Sequence, residues 1–211
     1  KIKFELSLKS KLKQQNKQII EYDEHQLEIL EIVEKQDRLI FEGRAGTGKS
    51  KLAEEISKRF AKKYKKVLFI CGANKPFGVQ LSLLMNDIEN IDVFHFSGFC
   101  KELYNRAKIT NDEIKEIIKD KDHNEIPIYE IHQRLLEKSI EKTGIKYDAL
   151  VVDEGQDINR KQWDSLLWSL HDPYKNPVYI FHDNNQKVYN KDELDLPDFP
   201  KYPHILKKNY R

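Results

Sequence analysis

GRAGTGKS, residues 43–50, gathers three of the chain's eight glycines into six positions and follows the last of them with lysine. Ahead of it lies RLIFE (38–42), a short apolar run that reads as a buried strand. Behind it, Leu52, Ile56 and Phe60 recur every four residues, the spacing of one helix face. Strand, glycine loop and helix in that order are the setting in which G-x-x-x-x-G-K-[ST] acts as a phosphate cradle. Glycines let the backbone turn its N–H groups inward, at a helix N-terminus that already favours anions. The expectation is a nucleotide site formed by Gly43, Arg44, Ala45, Gly46, Thr47, Gly48, Lys49 and Ser50, with Lys51 next to it. Lys49 would reach the terminal phosphates, and the Ser50 hydroxyl would ligate Mg2+.

The same alternation continues along the chain. KVLFIC (66–71), IDVFH (91–95), YDALVVD (147–153) and PVYIFHD (177–183) read as further buried strands, and HILKK (204–208) as a last one. Strands separated by helical stretches predict parallel βαβ units, and hence an α/β sheet with both faces covered. Residues 101–146 break the rhythm. They are charged, helical in pattern and without a strand candidate, so they read as a small helical insertion in one domain spanning 21–211. DEHQLEILEIVEKQ, from Asp23, reads as a capped helix, and Trp163, Leu166, Leu167 and Leu170 as one apolar stripe, with Trp168 lying off it. Residues 1–20 are lysine-rich without clear period, a linker or lead-in segment.

Bulk properties narrow the classes. With 37 basic and 35 acidic residues, the net charge of +2 argues neither for nor against nucleic acid. Two distant cysteines, Cys71 and Cys100, fit reduced thiols of a cytoplasmic protein rather than a disulfide framework. No apolar run is long enough to cross a membrane. The chain starts on lysine and ends on arginine, so both ends read as cut from something longer.

A second chemical motif lies at the end of the strongest strand. LVVDEGQD puts Asp153 and Glu154 at the carboxyl edge of the sheet, where ligands of open α/β folds collect. Asp153 can hold Mg2+ beside Ser50, and Glu154 can orient and deprotonate an attacking water.

DEGQD resembles motif II of superfamily 1 helicases of the UvrD/Rep type, and further stretches fall in that family's order. Gln26 in YDEHQLEIL resembles the glutamine that reads adenine. VLFICGANKP resembles motif Ia, with Asn74 and Lys75 as its Asn-Lys pair, and FHFSGFCKEL, with His95, resembles the segment that follows. FHDNNQKVY resembles motif III, which implies that Gln186 senses the γ-phosphate and sets Tyr189 toward nucleic acid. LKKNYR resembles motif IV, in which Tyr210 would stack on adenine and Arg211 would reach the γ-phosphate. The wording around motif II is similar to a branch often fused to nuclease-related domains.

The resemblance covers residues 22–211. It implies a RecA-like P-loop fold, ATP and Mg2+ as cofactors, single-stranded DNA or RNA as partner, and a second RecA-like domain across the ATP cleft. An arginine at a developing phosphoryl charge is worth about 10^3–10^5 in rate, and the family draws one from that second domain. Hydrolysis by this stretch alone is therefore expected to be weak. There are departures. Gly72 and Ala73 stand where an aromatic usually precedes Asn-Lys, His182 stands where motif III has glycine, and NKDELDL replaces a Trp-Arg-Gly segment after Tyr189. Stacking is worth about 1–3 kcal/mol per base, so these losses favour a rival reading: an ATP-dependent switch, governing a nuclease for example, that does not unwind.

Overall fold

The computed structural model describes residues 24–72, 85, 88–118, 128–184 and 202–210. The chain divides into two compact units, 1–35 and 36–211. The described part of the first is one helix, α1 (Glu24–Lys35), which buries Gln26, Ile29, Leu30 and Val33. That spacing is the apolar stripe expected of an amphipathic helix. The lead-in segment 1–20 lies outside the described residues.

The second unit is built on a sheet of six described strands: β1 (Arg38–Gly43), β2 (Val67–Cys71), β3 (Ile91–Phe94), β4 (Ala149–Asp153), β5 (Val178–His182) and β6 (His204–Leu206). They lie in the order β3-β2-β4-β5-β1-β6, and every pairing is parallel. Parallel strands need covered faces, and β2, β4 and β5 are accordingly buried along their whole length.

Helix α2 (Lys49–Lys63) covers one face with Leu52, Ile56 and Phe60, the last lying 5.0 Å from the Tyr179 ring. On the opposite face Leu68, Ile70, Leu150, Val152, Val178 and Ile180 form the main core. Their cover is α3 (Phe96–Ala107), α5 (Ile128–Thr143) and α6 (Arg160–Trp168), and α4 (Asn111–Ile118) packs on α5. Residues 101–146 thus contribute Leu103, Leu136 and Ile140 to the core itself.

The six expected strands are all present. IDVFH stops one residue early, because the His95 ring accepts the Gly98 N–H at 3.0 Å and caps α3. Trp163, Leu166 and Leu170 are fully buried, and Leu167 packs against them half-buried. Trp168 is 41% exposed, with the Lys146 ammonium 5.8 Å from its ring centre. Both cysteines are free and buried, and burial pushes the Cys71 thiol up to about 12. This is the parallel α/β arrangement that the strand–helix alternation predicts, and it is the RecA-like fold that the resemblance implies.

Candidate nucleotide site

Strand order determines which side chains meet. β5 lies between β1 and β4, so its carboxyl end is flanked by the glycine loop on one side and the acidic turn on the other. Three segments far apart in sequence converge there.

The loop wraps as its glycines allow. Gly46 and Gly48 have φ of 87° and 81°, a left-handed backbone that L side chains rarely adopt. Thr47 braces the turn, its hydroxyl donating to the Arg44 carbonyl at 2.8 Å. Helix α2 then begins at Lys49 with no side-chain cap at Gly48, so its first N–H groups face the loop's concavity without a capping side chain. Arg44 and Ala45 are exposed at the loop tip, Lys51 is exposed one residue past Ser50, and Gly46 and Ser50 are half-buried. Lys49 is buried at 6% exposure; its ammonium donates to the carbonyls of Gly43 at 2.8 Å and Arg44 at 3.2 Å. It also lies 3.7 Å from Asp183 Oδ2.

Asp153 ends β4 with no exposed surface. Its Oδ1 accepts the Glu154 N–H at 3.1 Å, whereas Oδ2 has no hydrogen-bond partner among the described residues. Burial raises its pKa from 3.8 to about 6; the Ser50 hydroxyl beside it acts in the opposite direction, and the Glu154 charge raises it further. An orphaned, buried carboxylate oxygen next to a serine hydroxyl suits a divalent cation that takes few protein ligands and keeps water and phosphate for the rest. No cluster of three or more His, Cys, Asp or Glu able to hold a metal occurs among the described residues, so a cation held all round by such side chains has no site there.

Glu154 stands half-buried at the turn, with φ 57° and ψ 47°. The chain can turn so tightly because Gly155 packs against β5: a Cβ there would sit 2.7 Å from Ile180 Cγ2. Gln156 then reaches both neighbours, donating to Glu154 Oε2 at 2.6 Å and accepting the Asp183 N–H at 3.1 Å.

His182, the last residue of β5, and Asp183, which follows it, complete the centre. Asp183 is 1% exposed, and His182 is 2% exposed with neither ring nitrogen partnered among the described residues. Burial holds the His182 imidazole below its ordinary pKa, against the pull of Glu42, its neighbour in register on β1. The last described stretch also returns to the loop: the Tyr210 N–H donates to the Gly46 carbonyl at 2.9 Å, and the Tyr210 ring is 41% exposed.

The structure therefore brings Lys49, Ser50, Asp153 and Glu154 to one edge of the sheet and Tyr210 to the rim of the glycine loop. Gln26 belongs to the first unit, on α1, where it is buried. His95 is engaged as the α3 cap. Asn74, Lys75, Gln186, Tyr189 and Arg211 lie outside the described residues. Sequence reasoning assigned no role to Asp183 or Gln156. Their only signal was position: one follows β5 directly and the other sits inside DEGQD.

A search of curated proteins finds no match to the chain. The family described as type III restriction enzyme, res subunit, matches residues 9–178, a span that holds the glycine loop, the acidic turn and four of the six strands. With a P-loop between β1 and α2 and a carboxylate pair at the end of β4, this chain is a helicase-like P-loop domain and belongs to the type III restriction enzyme res subunit family.

Proposed function

We propose that this chain is the first RecA-like ATPase domain of a UvrD-like superfamily 1 helicase or translocase, coupling ATP hydrolysis to movement on single-stranded DNA or RNA. The family match stops at residue 178 and does not distinguish this branch. Support for it comes from the segment resembling motif IV, whose described part, LKKNY (206–210), reaches the glycine loop through the Tyr210–Gly46 hydrogen bond. A stretch resembling motif IV hydrogen-bonded to the glycine loop is the observation that carries the reading.

In this mechanism the N–H groups of 46–50 and the Lys49 ammonium bind the phosphates. Lys49 leaves the Gly43 and Arg44 carbonyls, or shares itself with them, as anionic oxygen arrives. Ser50 and Asp153 would hold Mg2+, which would supply charge neutralisation at the phosphates. Glu154 orients and deprotonates the attacking water. Gln186 and Arg211 would contact the γ-phosphate, and Tyr210 the adenine. Asn74, Lys75, His95 and Tyr189 are the proposed contacts to nucleic acid. A second RecA-like domain would complete the cleft, so this stretch alone should turn over slowly.

The test is ATP hydrolysis by the intact protein with and without single-stranded DNA or RNA. Stimulation of tenfold or more is expected of a translocase. Hydrolysis or binding that ignores both nucleic acids would replace it with the second reading, an ATP-dependent switch acting on a nuclease domain or partner. Gly72 and Ala73, where the family usually has a stacking aromatic, favour that second reading.

A further inference from the structure

Both ends of the Gln156 side-chain amide are engaged. Its Nε2 donates to Glu154 Oε2 at 2.6 Å, and its Oε1 accepts the Asp183 backbone N–H at 3.1 Å. The partners determine which end is nitrogen, since a carboxylate needs a donor and an N–H needs an acceptor. Few side chains could replace it. Glutamate would set two carboxylates face to face, leucine would leave both partners unpaired, and asparagine is one methylene short.

The turn that carries the amide is itself held. Asp157 N–H donates to the Glu154 carbonyl at 3.0 Å, and Ile158 N–H to that of Gly155 at 3.2 Å. Gly155 beneath is pressed against Ile180. Beyond the amide, Asp183 is buried and its carboxylate is the one 3.7 Å from the Lys49 ammonium. A continuous polar path thus runs from the phosphate-loop lysine, through the end of β5, to the carboxylate at the acidic turn.

We infer that Gln156 is a positioning residue that ties the Glu154 carboxylate to the carboxyl end of β5, so that the water-activating group follows the residue that pairs with Lys49. A terminal phosphate competes with Asp183 for the Lys49 ammonium. Any shift of Asp183 on that exchange displaces its N–H, and the amide carries the displacement to Glu154. The glutamine then makes hydrolysis depend on the state of the phosphate site rather than on the presence of Glu154 alone. The inference rests on the ATPase reading above.

The experiment measures steady-state ATP turnover and fluorescent Mg·ATP-analogue binding in the intact protein, for Gln156→Leu, Glu154→Gln and the double variant. A misplacement of about 1 Å costs on the order of 100-fold in rate, so Gln156→Leu should lower kcat by about 10- to 100-fold. Its KM and nucleotide Kd should stay within about threefold of wild type, because it touches no proposed binding group. In the Glu154→Gln background the same change should cost nothing further, since there is no carboxylate left to position. Gln156→Glu, closest in shape, guards against loss of fold and should also lower kcat with affinity retained. Unchanged kcat in either Gln156 variant would overturn the inference. So would nucleotide affinity that falls as far as kcat, or losses that multiply in the double variant. Wild-type protein that binds but never hydrolyses Mg·ATP would instead overturn the ATPase reading, and the inference with it.

Discussion

At the scale of single residues, the site is governed by a carboxylate held against its preference. Asp153 is wholly buried, one oxygen lacks a partner among the described residues, and its pKa rises from 3.8 to about 6. Between those two values the folded chain keeps a proton that the unfolded chain has lost. Stability of the nucleotide-free protein therefore falls as pH climbs through that window and levels off above it. A rise of that size, from 3.8 to about 6, corresponds to about 3 kcal/mol set against the fold at neutral pH. Asp153→Asn should accordingly raise the stability of the nucleotide-free protein by about 1–3 kcal/mol at about pH 7. At about pH 4 the gain should be much smaller. Thermal melts of both proteins across that range check it, and an equal gain at both ends would contradict it. The same variant should lose the Mg2+-dependent part of nucleotide binding, because the ionised carboxylate is what a divalent cation would take. Residues of this kind are kept for what they bind rather than for the stability they give.

Secondary-structure elements show a different balance. α6 starts with a reciprocal cap: the Asn159 side chain accepts the Gln162 N–H at 3.0 Å, and the Gln162 side chain accepts the Asn159 N–H at 3.0 Å. Asn159→Ala should lower stability by about 1 kcal/mol, read as a lower denaturant midpoint with unchanged slope, and leave nucleotide affinity alone. The elements themselves were largely legible. Runs such as LIF (39–41), VLFIC (67–71) and ALVV (149–152) are apolar throughout because both sheet faces are covered, and glycine or charge bounds each one. GRAGTGKS was legible as a loop for a similar local reason. What the sequence hid depends on pairing between distant strands. Nothing local in FHDNN says that β5 lies between β1 and β4, and only that order brings Asp183 to Lys49 and to Gln156. His95 has a local duty that no motif announced: its ring is the α3 cap. A capping histidine gives a weaker sequence signal than serine, threonine, asparagine or aspartate would.

For the whole molecule, the site should couple to global stability, because its residues follow three adjacent strands, β4, β5 and β1, that are distant in sequence. Ligand that binds only the folded form stabilises it by about 2.7 kcal/mol at a hundredfold excess over Kd. Saturating Mg·ATP should therefore raise the melting temperature by several degrees. Lys49→Ala, or chelation of Mg2+, should abolish most of that rise, and a full shift in the presence of chelator would argue against Ser50 and Asp153 as cation ligands. No described helix is long and apolar enough to cross a membrane. The strand order has one more consequence, and it concerns time. Among the described strands β1, which carries the glycine loop, pairs with β5 and β6, and both lie far along the sequence from it. Contacts so distant in sequence close slowly, since a long loop must be ordered before they form. As the chain leaves the ribosome, β1 waits for these neighbours until residues past 178 emerge, so the glycine loop is made well before the strands that seat it.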